Sequence, residues 1–366
     1  MISCRALTLL LASAILTTAG ASACAETAST DPERPGSPKI LLYHHVSDAT
    51  PAATSVSPAT FAAHLELIES EGYDVVPLAQ IVDALVAGDA MQSRWVAITF
   101  DDAYESVAST AAPMLAERGW PFTVFVSTDY VDDGYGLYLS WDDLRSLEAD
   151  GATIGNHTLA HEHMVRLRAG ETAGDWQQRL AREVTDAQAR LQAELDAPLR
   201  LFAYPYGEFN AEVAGLMQSL GFISFGQQSG PVGSTTNLYA IPRFPMAKGF
   251  DSVQSLAEKL RTEHLPLLEP QTPATVLAAN AGPPALELRI GDTARVRPGS
   301  LNCFVAGQPN AQVTWGDSVT IQAGVSLSPG RSKYTCTAPH PVIPRAYYWH
   351  THLFIKPRAD GSWYDG

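Results

Sequence analysis

Val96–Ser106 reads VAITFDDAYES, a run of apolar, strand-forming residues that ends in two adjacent aspartates, Asp101 and Asp102. Successive side chains on a strand point to opposite faces, so the two carboxylates diverge while the strand lasts. Where the strand ends the chain turns, and both can enter one pocket by different routes. A plain turn, in which Asp bonds nearby backbone, explains the pair when the stretch is read alone.

The surroundings decide the fold. KILLYHHV (39–46) reads as a buried strand. SPATFAAHLELIESEG (57–72) reads as a helix, with Ser57 as N-cap, Pro58 at its first position, Gly72 after its end, and Phe61, Leu65 and Ile68 on one face. The alternation goes on through a helix at ESVASTAAPMLAERG (105–119), a strand at PFTVFVS (121–127), a short helix at SWDDLRSLEADG (140–151) and a strand at ATIGNHT (152–158). A long amphipathic helix from Asp175 to Leu195 follows, then LRLFAYPYG (199–207) as a strand, AEVAGLMQSLG (211–221) as a helix and FISFG (222–226) as a strand. Strands alternating with helices of this length predict an α/β fold with a parallel sheet, open or closed into a barrel. Active sites of such folds lie at the carboxyl ends of the strands.

The flanks differ. Residues 1–23 read as an export signal, with Arg5, the apolar core ALTLLLASAIL and the small-residue site ASA. The core is too short to span a bilayer comfortably, and no later stretch reads as a transmembrane helix. The chain is therefore expected outside the cytoplasm: periplasmic, an outer-membrane lipoprotein, or secreted. Cys24 stands where a lipid-acceptor cysteine would, tying the protein to the outer membrane or cell surface, or it is lost by cleavage after Ala25. Residues 24–38 form a flexible leader, 39–265 the α/β domain and 266–285 a Pro- and Ala-rich linker. In 286–366, short strand-like pieces separated by Gly, Pro and Ser predict a small all-β sandwich. Cys303 and Cys336 are an even pair in an oxidising compartment, and a disulfide is expected.

The chain has 366 residues and a net charge of −15, which excludes nucleic acid as a partner. Residues 286–366 carry eight Lys/Arg and five Asp/Glu, a balance of +3, so residues 1–285 hold −18. An acidic body tolerates neutral or cationic ligands better than anionic ones.

Four polar clusters fall at predicted strand ends: His44 with His45, Asp101 with Asp102, His157 with His161, and Tyr204 to Gly207. Each has an ordinary explanation taken singly. Together, carboxylates and imidazoles on one strand-end face suit a metal hydrolase. Asp102, His157 and His161 would supply three ligands and leave a position open for water, and Asp101 would be free to act as a base.

TFDD, NHTLAH and FAYPYG, in this order, resemble the first three motifs of the polysaccharide deacetylases, carbohydrate esterase family 4. LLYHHV resembles the branch that deacetylates poly-β-1,6-N-acetylglucosamine. The resemblance covers roughly residues 39–250 and implies a distorted (β/α) barrel. It implies that Asp102, His157 and His161 hold a divalent metal, zinc first, with cobalt or nickel as alternatives. Asp101 would be the base, the Tyr206 backbone N–H the oxyanion donor, and His44 the acid that protonates the departing sugar amine. His45 is the alternative acid. Tyr204 and Pro205 come with the same motif. Many members carry an Arg ahead of the Pro-Tyr motif that holds the base; none stands there, and Arg243 in IPRFP is the candidate substitute. His163 is assigned a supporting place beside the ligands. Trp141 in LSWDDL either lines the acetyl pocket or is a core residue at a capped helix start.

The expected substrate is thus an extracellular N-acetylglucosamine polymer, most like poly-β-1,6-N-acetylglucosamine. Chitin oligomers, peptidoglycan and O-acetylated xylan are the enzymatic alternatives, and a non-catalytic polysaccharide-binding or export protein is the alternative of another class. The C-terminal aromatics Trp315, Tyr334, Tyr347, Tyr348, Trp349, Trp363 and Tyr364 could stack on sugars, but a small sandwich needs most of them for its core. His350 and His352 lack a third partner in the sequence and are not assigned to a metal.

Overall fold

The computed structural model describes residues 36–196, 199–270, 275–291 and 295–365. The export signal, Cys24 and all but the last three residues of the leader lie outside the described residues. Among these residues no helix is long and apolar enough to cross a membrane.

The predicted alternation folds into a parallel sheet in the order Phe244–Pro245, Lys39–Tyr43, Trp95–Phe100, Thr123–Val126, Thr153–Asn156, Leu201–Ala203 and Ile223–Phe225, with Asp74–Val75 beside the start of Trp95–Phe100. Its strands are nearly continuous apolar runs because helices cover the outer face and side chains fill the inner one. The segment from Ile241 to Pro245 touches both outer strands. Ile241 bridges Phe225, and Phe244 and Pro245 pair with Leu41 and Leu42. The barrel is thus closed by one short, irregular connection, which is the distortion of the (β/α) arrangement.

Local chemistry sets the helices. Ser57 accepts the Thr60 N–H, Pro58 starts the Pro58–Ser70 helix, and Phe61, Leu65 and Ile68 are wholly buried. The long helix spans Ala173–Glu194 behind a reciprocal Thr172–Asp175 capping box. The helix expected over 105–119 is broken up. A π turn at Val107–Ala111 precedes a short α-helix, Ala112–Ala116. Pro113 stands at the junction; it offers no N–H and its ring crowds the preceding turn, so the backbone there widens.

The C-terminal part is all β. Gly330–Pro339 and Tyr347–Lys356 form a long antiparallel pair flanked by Asn302–Val305, facing a sheet of Ala285–Leu288, Val319–Gln322 and Gln312–Trp315. Cys303 lies directly across from Cys336, and the two form a disulfide. Closing a loop of that length stabilises by about 3–4 kcal/mol in the chain-entropy model. Within 266–285, Thr275–Val276 is a strand on Tyr347–Lys356, as is Thr262–His264 just before that stretch. Leu353, Ile355, Trp363 and Tyr364 pack with Trp176, Phe202 and Phe209 in one apolar cluster. The β region is therefore seated directly on the barrel. Most of its aromatic residues serve packing: Tyr334 and Tyr348 are buried, and Trp349 packs edge-on against Phe244, whereas Tyr347 is 48% exposed.

Where these parts meet, burial lowers His264 and His352 to about 4 and His350 well below its usual value. Each is neutral in the folded protein, whereas in the unfolded chain each takes up a proton near pH ~6.5. Their contribution is complete above that pH and is lost as pH falls through and below it. The unfolding free energy from urea titrations accordingly drops between about pH 7 and about pH 5, by up to about 1.4 kcal/mol per pH unit per histidine, and the urea midpoint falls with it. His352→Gln makes that fall shallower, and a flat midpoint in the parent protein would refute the assignment.

Candidate active site

Asp101 keeps the strand's register by donating its N–H to the Tyr43 carbonyl at 3.0 Å. The next two residues leave it: Asp102 and Ala103 take left-handed conformations, φ 70° and 56°. This reversal is how adjacent aspartates reach one pocket by separate routes. Positive φ in a residue with a side chain is uncommon and costs about 1–3 kcal/mol, and it gathers at functional sites. Among the described residues the other non-glycine cases are Thr158, His161, Tyr206 and Arg345, and all but Arg345 belong to, or lie between members of, the predicted strand-end clusters.

The Asp101 carboxylate accepts two parallel bonds from Arg243, Nη1 to Oδ1 at 2.7 Å and Nη2 to Oδ2 at 2.8 Å, with both side chains wholly buried. Arg243 also donates Nε to the Gly226 carbonyl at 3.0 Å and lies over the Phe125 ring. Burial works against the Asp101 charge, but Arg243, His157 and His44 override it and hold the carboxyl below its usual range.

Asp102 faces the two histidines. Its Oδ1 is 3.2 Å from His157 Nε2 and 3.1 Å from His161 Nε2. Burial opposes its charge too, and the two imidazoles bring its pKa well down. The loop carrying them is framed by its own polar atoms. Buried Asn156 caps the Thr158 N–H through Oδ1 and donates Nδ2 to the Val184 carbonyl, while the Thr158 hydroxyl accepts the His161 N–H. The pair thus meets through a tight loop with left-handed residues, not through a helical turn.

The tautomer of His157 is fixed by chemistry. Its Nδ1 is 2.7 Å from the Ala203 carbonyl, which can only accept, so Nδ1 carries a proton. In the neutral ring Nε2 is then a bare lone pair aimed at the Asp102 carboxylate, and both Nε2 and Oδ1 are buried without a hydrogen-bond partner. Without a cation, that contact is relieved by protonation: burial disfavours the charged ring, but the two aspartates outweigh it and raise the His157 pKa. With a cation the same atoms become ligands. Tetrahedral zinc with N and O donors at ~2.0–2.1 Å sets donor atoms about 3.3–3.4 Å apart, close to the spacings here. Among the described residues, Asp102, His157 and His161 are the group able to hold a metal, their ligand atoms all within 4.8 Å of one another.

His44 is half-buried, and the charges that act on it are those of Asp102, Asp101, Arg243 and His157, against a burial that lowers its pKa. His45 is buried and stacked on Tyr104 at 3.5 Å, and burial lowers it to about 4. That stack continues from Tyr104 to Tyr138 at 5.0 Å and from Tyr138 to Tyr130 at 4.7 Å, and Tyr130 lies 6.4 Å from His161. On the other side the Tyr206 ring meets His161 edge-on at 4.5 Å and lies flat on His163 at 3.7 Å. His163 donates its Nδ1–H to the Glu208 carboxylate at 2.9 Å rather than joining Asp102. Tyr204 is in the core, stacked on Phe209 with its hydroxyl on the Tyr239 carbonyl, and Pro205 is buried. Trp141 begins a helix capped by Ser140, and its partners are Asp132 and Arg190 rather than the Asp102 group.

Sequence reasoning passed over the tyrosine wall and Glu208. Tyr104 stands two residues beyond Asp102 and Glu208 directly follows FAYPYG, so adjacency to a motif was the available signal. Tyr130 and Tyr138 carried none.

Residues 88–224 match the polysaccharide deacetylase family. The Escherichia coli (strain K12) poly-β-1,6-N-acetyl-D-glucosamine N-deacetylase is 22% identical over 259 residues, which cover 61% of this chain and 38% of that enzyme. YxkH of Bacillus subtilis is 23% identical over 218 residues, covering 59% of this chain and 74% of that one. The structure of the Streptococcus pyogenes deacetylase PplD in complex with acetate superposes with a TM-score of 0.55 at 21% identity, over 62% of this chain and 99% of that one, and shows a common fold.

The buried pair gives a direct test. Arg243→Met leaves Asp101 buried without its counter-ion, and lowers the unfolding free energy by about 3–5 kcal/mol in denaturant titrations. Adding Asp101→Asn to that variant recovers part of the loss. Equal stabilities of parent and single variant would show that the pair is not formed.

Proposed function

We propose, from the premise that this chain carries a polysaccharide deacetylase domain, that it hydrolyses the acetamido group of an extracellular N-acetylglucosamine polymer and releases acetate, with poly-β-1,6-N-acetylglucosamine as the first substrate to try. The observation that carries the reading is the division of labour between adjacent aspartates: Asp102 turned to two imidazoles, Asp101 held ionised by a buried guanidinium. The E. coli relative described above, a poly-β-1,6-N-acetyl-D-glucosamine N-deacetylase, supports the choice.

A divalent cation held by Asp102, His157 and His161 would supply an activated water and polarise the acetyl carbonyl, and zinc suits the donor set. Asp101, kept charged by Arg243, takes the proton of the attacking water. The Tyr206 N–H receives the charge that develops on the carbonyl oxygen, and loss of one such donor typically costs about 2.7–4 kcal/mol in the barrier. The C–N bond then breaks, and His44 gives a proton to the sugar nitrogen, which leaves as a free amine. A lowered pKa makes protonated His44 the stronger acid while shrinking its population, so the rate falls on the alkaline side. Tyr104, Tyr130, Tyr138 and Tyr206 surround Asp102 with aromatic faces and neutral hydroxyls, a lining suited to an uncharged sugar. Export to the cell exterior and anchoring through Cys24 belong to the same reading.

The test is acetate release from β-1,6-linked N-acetylglucosamine oligomers beside chitin oligomers of equal length, with metal stripped and restored. Metal-dependent release from the first, lost by about 10²-fold or more in Asp101→Asn, is the expected result. Release from chitin alone would keep the chemistry and overturn the substrate. No release from either by metal-loaded protein would overturn both.

A further inference from the structure

We propose that the C-terminal β region is a clamp on the Tyr204–Gly207 loop, with Arg331 and Tyr364 as positioning residues for Tyr206; this rests on the deacetylase reading above. The loop needs holding. Tyr206 sits at φ 58°, ψ 3°, a conformation that costs a bulky residue about 1–3 kcal/mol, and Gly207 follows at φ 67°. A short 3-10 turn offers little to offset that cost.

The restraints come from far along the chain. Arg331 Nη1 donates to the Tyr206 carbonyl at 2.9 Å, and its guanidinium lies 5.6 Å over the Tyr206 ring. Two residues on, and so on the same face of the strand, Lys333 Nζ donates to the Gln227 carbonyl at 2.7 Å. Gln227 is the surface on which Gly207 rests, since a Cβ at Gly207 would fall 2.6 Å from Gln227 Cβ. Glu208, wholly buried, anchors the far end of the loop. It accepts the Tyr364 hydroxyl at 2.6 Å and faces His163, whose ring is the flat partner of Tyr206. Arg331 Nε stands 3.8 Å from the same carboxylate.

These contacts converge on one turn, beside the candidate ligand His161, from residues more than a hundred positions away. A region that only stabilised the fold would have no reason to bond the carbonyl of a left-handed tyrosine beside the candidate ligands. Misplacing a reacting or stabilising group by about 1 Å can cost 10²-fold in rate, so a clamp at this point acts on turnover. Arg331 and Tyr364 touch no reacting atom in this scheme; they act through Tyr206 and Glu208.

The test uses the full chain with Arg331→Ala, Arg331→Lys and Tyr364→Phe. Acetate release by Arg331→Ala and Tyr364→Phe should show kcat down by about 10-fold or more, with KM within about 2-fold and zinc affinity as in the parent. Arg331→Lys, which can still donate to the Tyr206 carbonyl, should recover part of the loss. Amide hydrogen exchange gives a readout independent of activity, with faster exchange at residues 206–208 in the two disabling variants and the parent rate in the barrel strands. Unchanged kcat in both variants, or exchange raised evenly across the molecule, would overturn the clamp. Should the parent release no acetate from any glycan, the deacetylase reading falls by itself, and exchange at residues 206–208 still decides whether the loop is held from the β region.

Discussion

The buried contact between Arg243 and Asp101 does several things at once. It joins the segment that closes the barrel to the end of the Trp95–Phe100 strand, through a guanidinium that also binds the Gly226 carbonyl. A charge pair taken wholly out of water is a doubtful source of stability, because the desolvation of both groups offsets their attraction. Its value lies in what it fixes. Asp101 is held in one orientation and kept ionised, and Asp102 is then free to turn toward the histidines through its left-handed backbone. If Asp101 lacked its counter-ion, burial would favour the neutral acid, and the carboxylate could not serve as a base.

Around that contact the site is rigid for local reasons. His157 is held by the Ala203 carbonyl, and His161 by the Thr158 hydroxyl, itself positioned by Asn156. The first bond keeps a proton on His157 Nδ1 and orients its ring whether or not a cation is bound, and the second fixes the backbone that carries His161. The aromatic wall from His45 to Tyr130 forms one flank, and Tyr206 with His163 the other.

Much of this was legible in the sequence because strand ends are where parallel α/β sheets put their chemistry. His44, Asp101, Asp102, His157 and Tyr206 each end or follow an apolar run, and periodicity alone located those runs. Two kinds of information were not. Arg331 lies 125 positions beyond Tyr206, and nothing local to either end encodes such a pairing; Arg243, 142 positions beyond Asp101, was singled out only through the family resemblance. Backbone state was also hidden: Asp102, Thr158 and Tyr206 adopt a conformation their residue types disfavour, so propensity argues against what tertiary contacts impose. The π turn before Pro113 is the reverse case, where a single residue's missing N–H carried a signal that the helical pattern of its neighbours masked.

The separation between Asp101 and Arg243 also bears on the order in which the chain acquires its shape. As the polypeptide emerges, the strand ending in Asp101 is made long before its guanidinium partner. Until that partner arrives, enclosing the carboxylate would mean burying an uncompensated charge, so the mouth of the barrel stays wet. Long-range pairings of this kind are slow to form because chain entropy is spent before contact energy is gained. Arg331 and Tyr364, which brace the Tyr206 loop, are synthesised later still. The contacts around the reactive centre are therefore complete only once the C-terminal β region has been made.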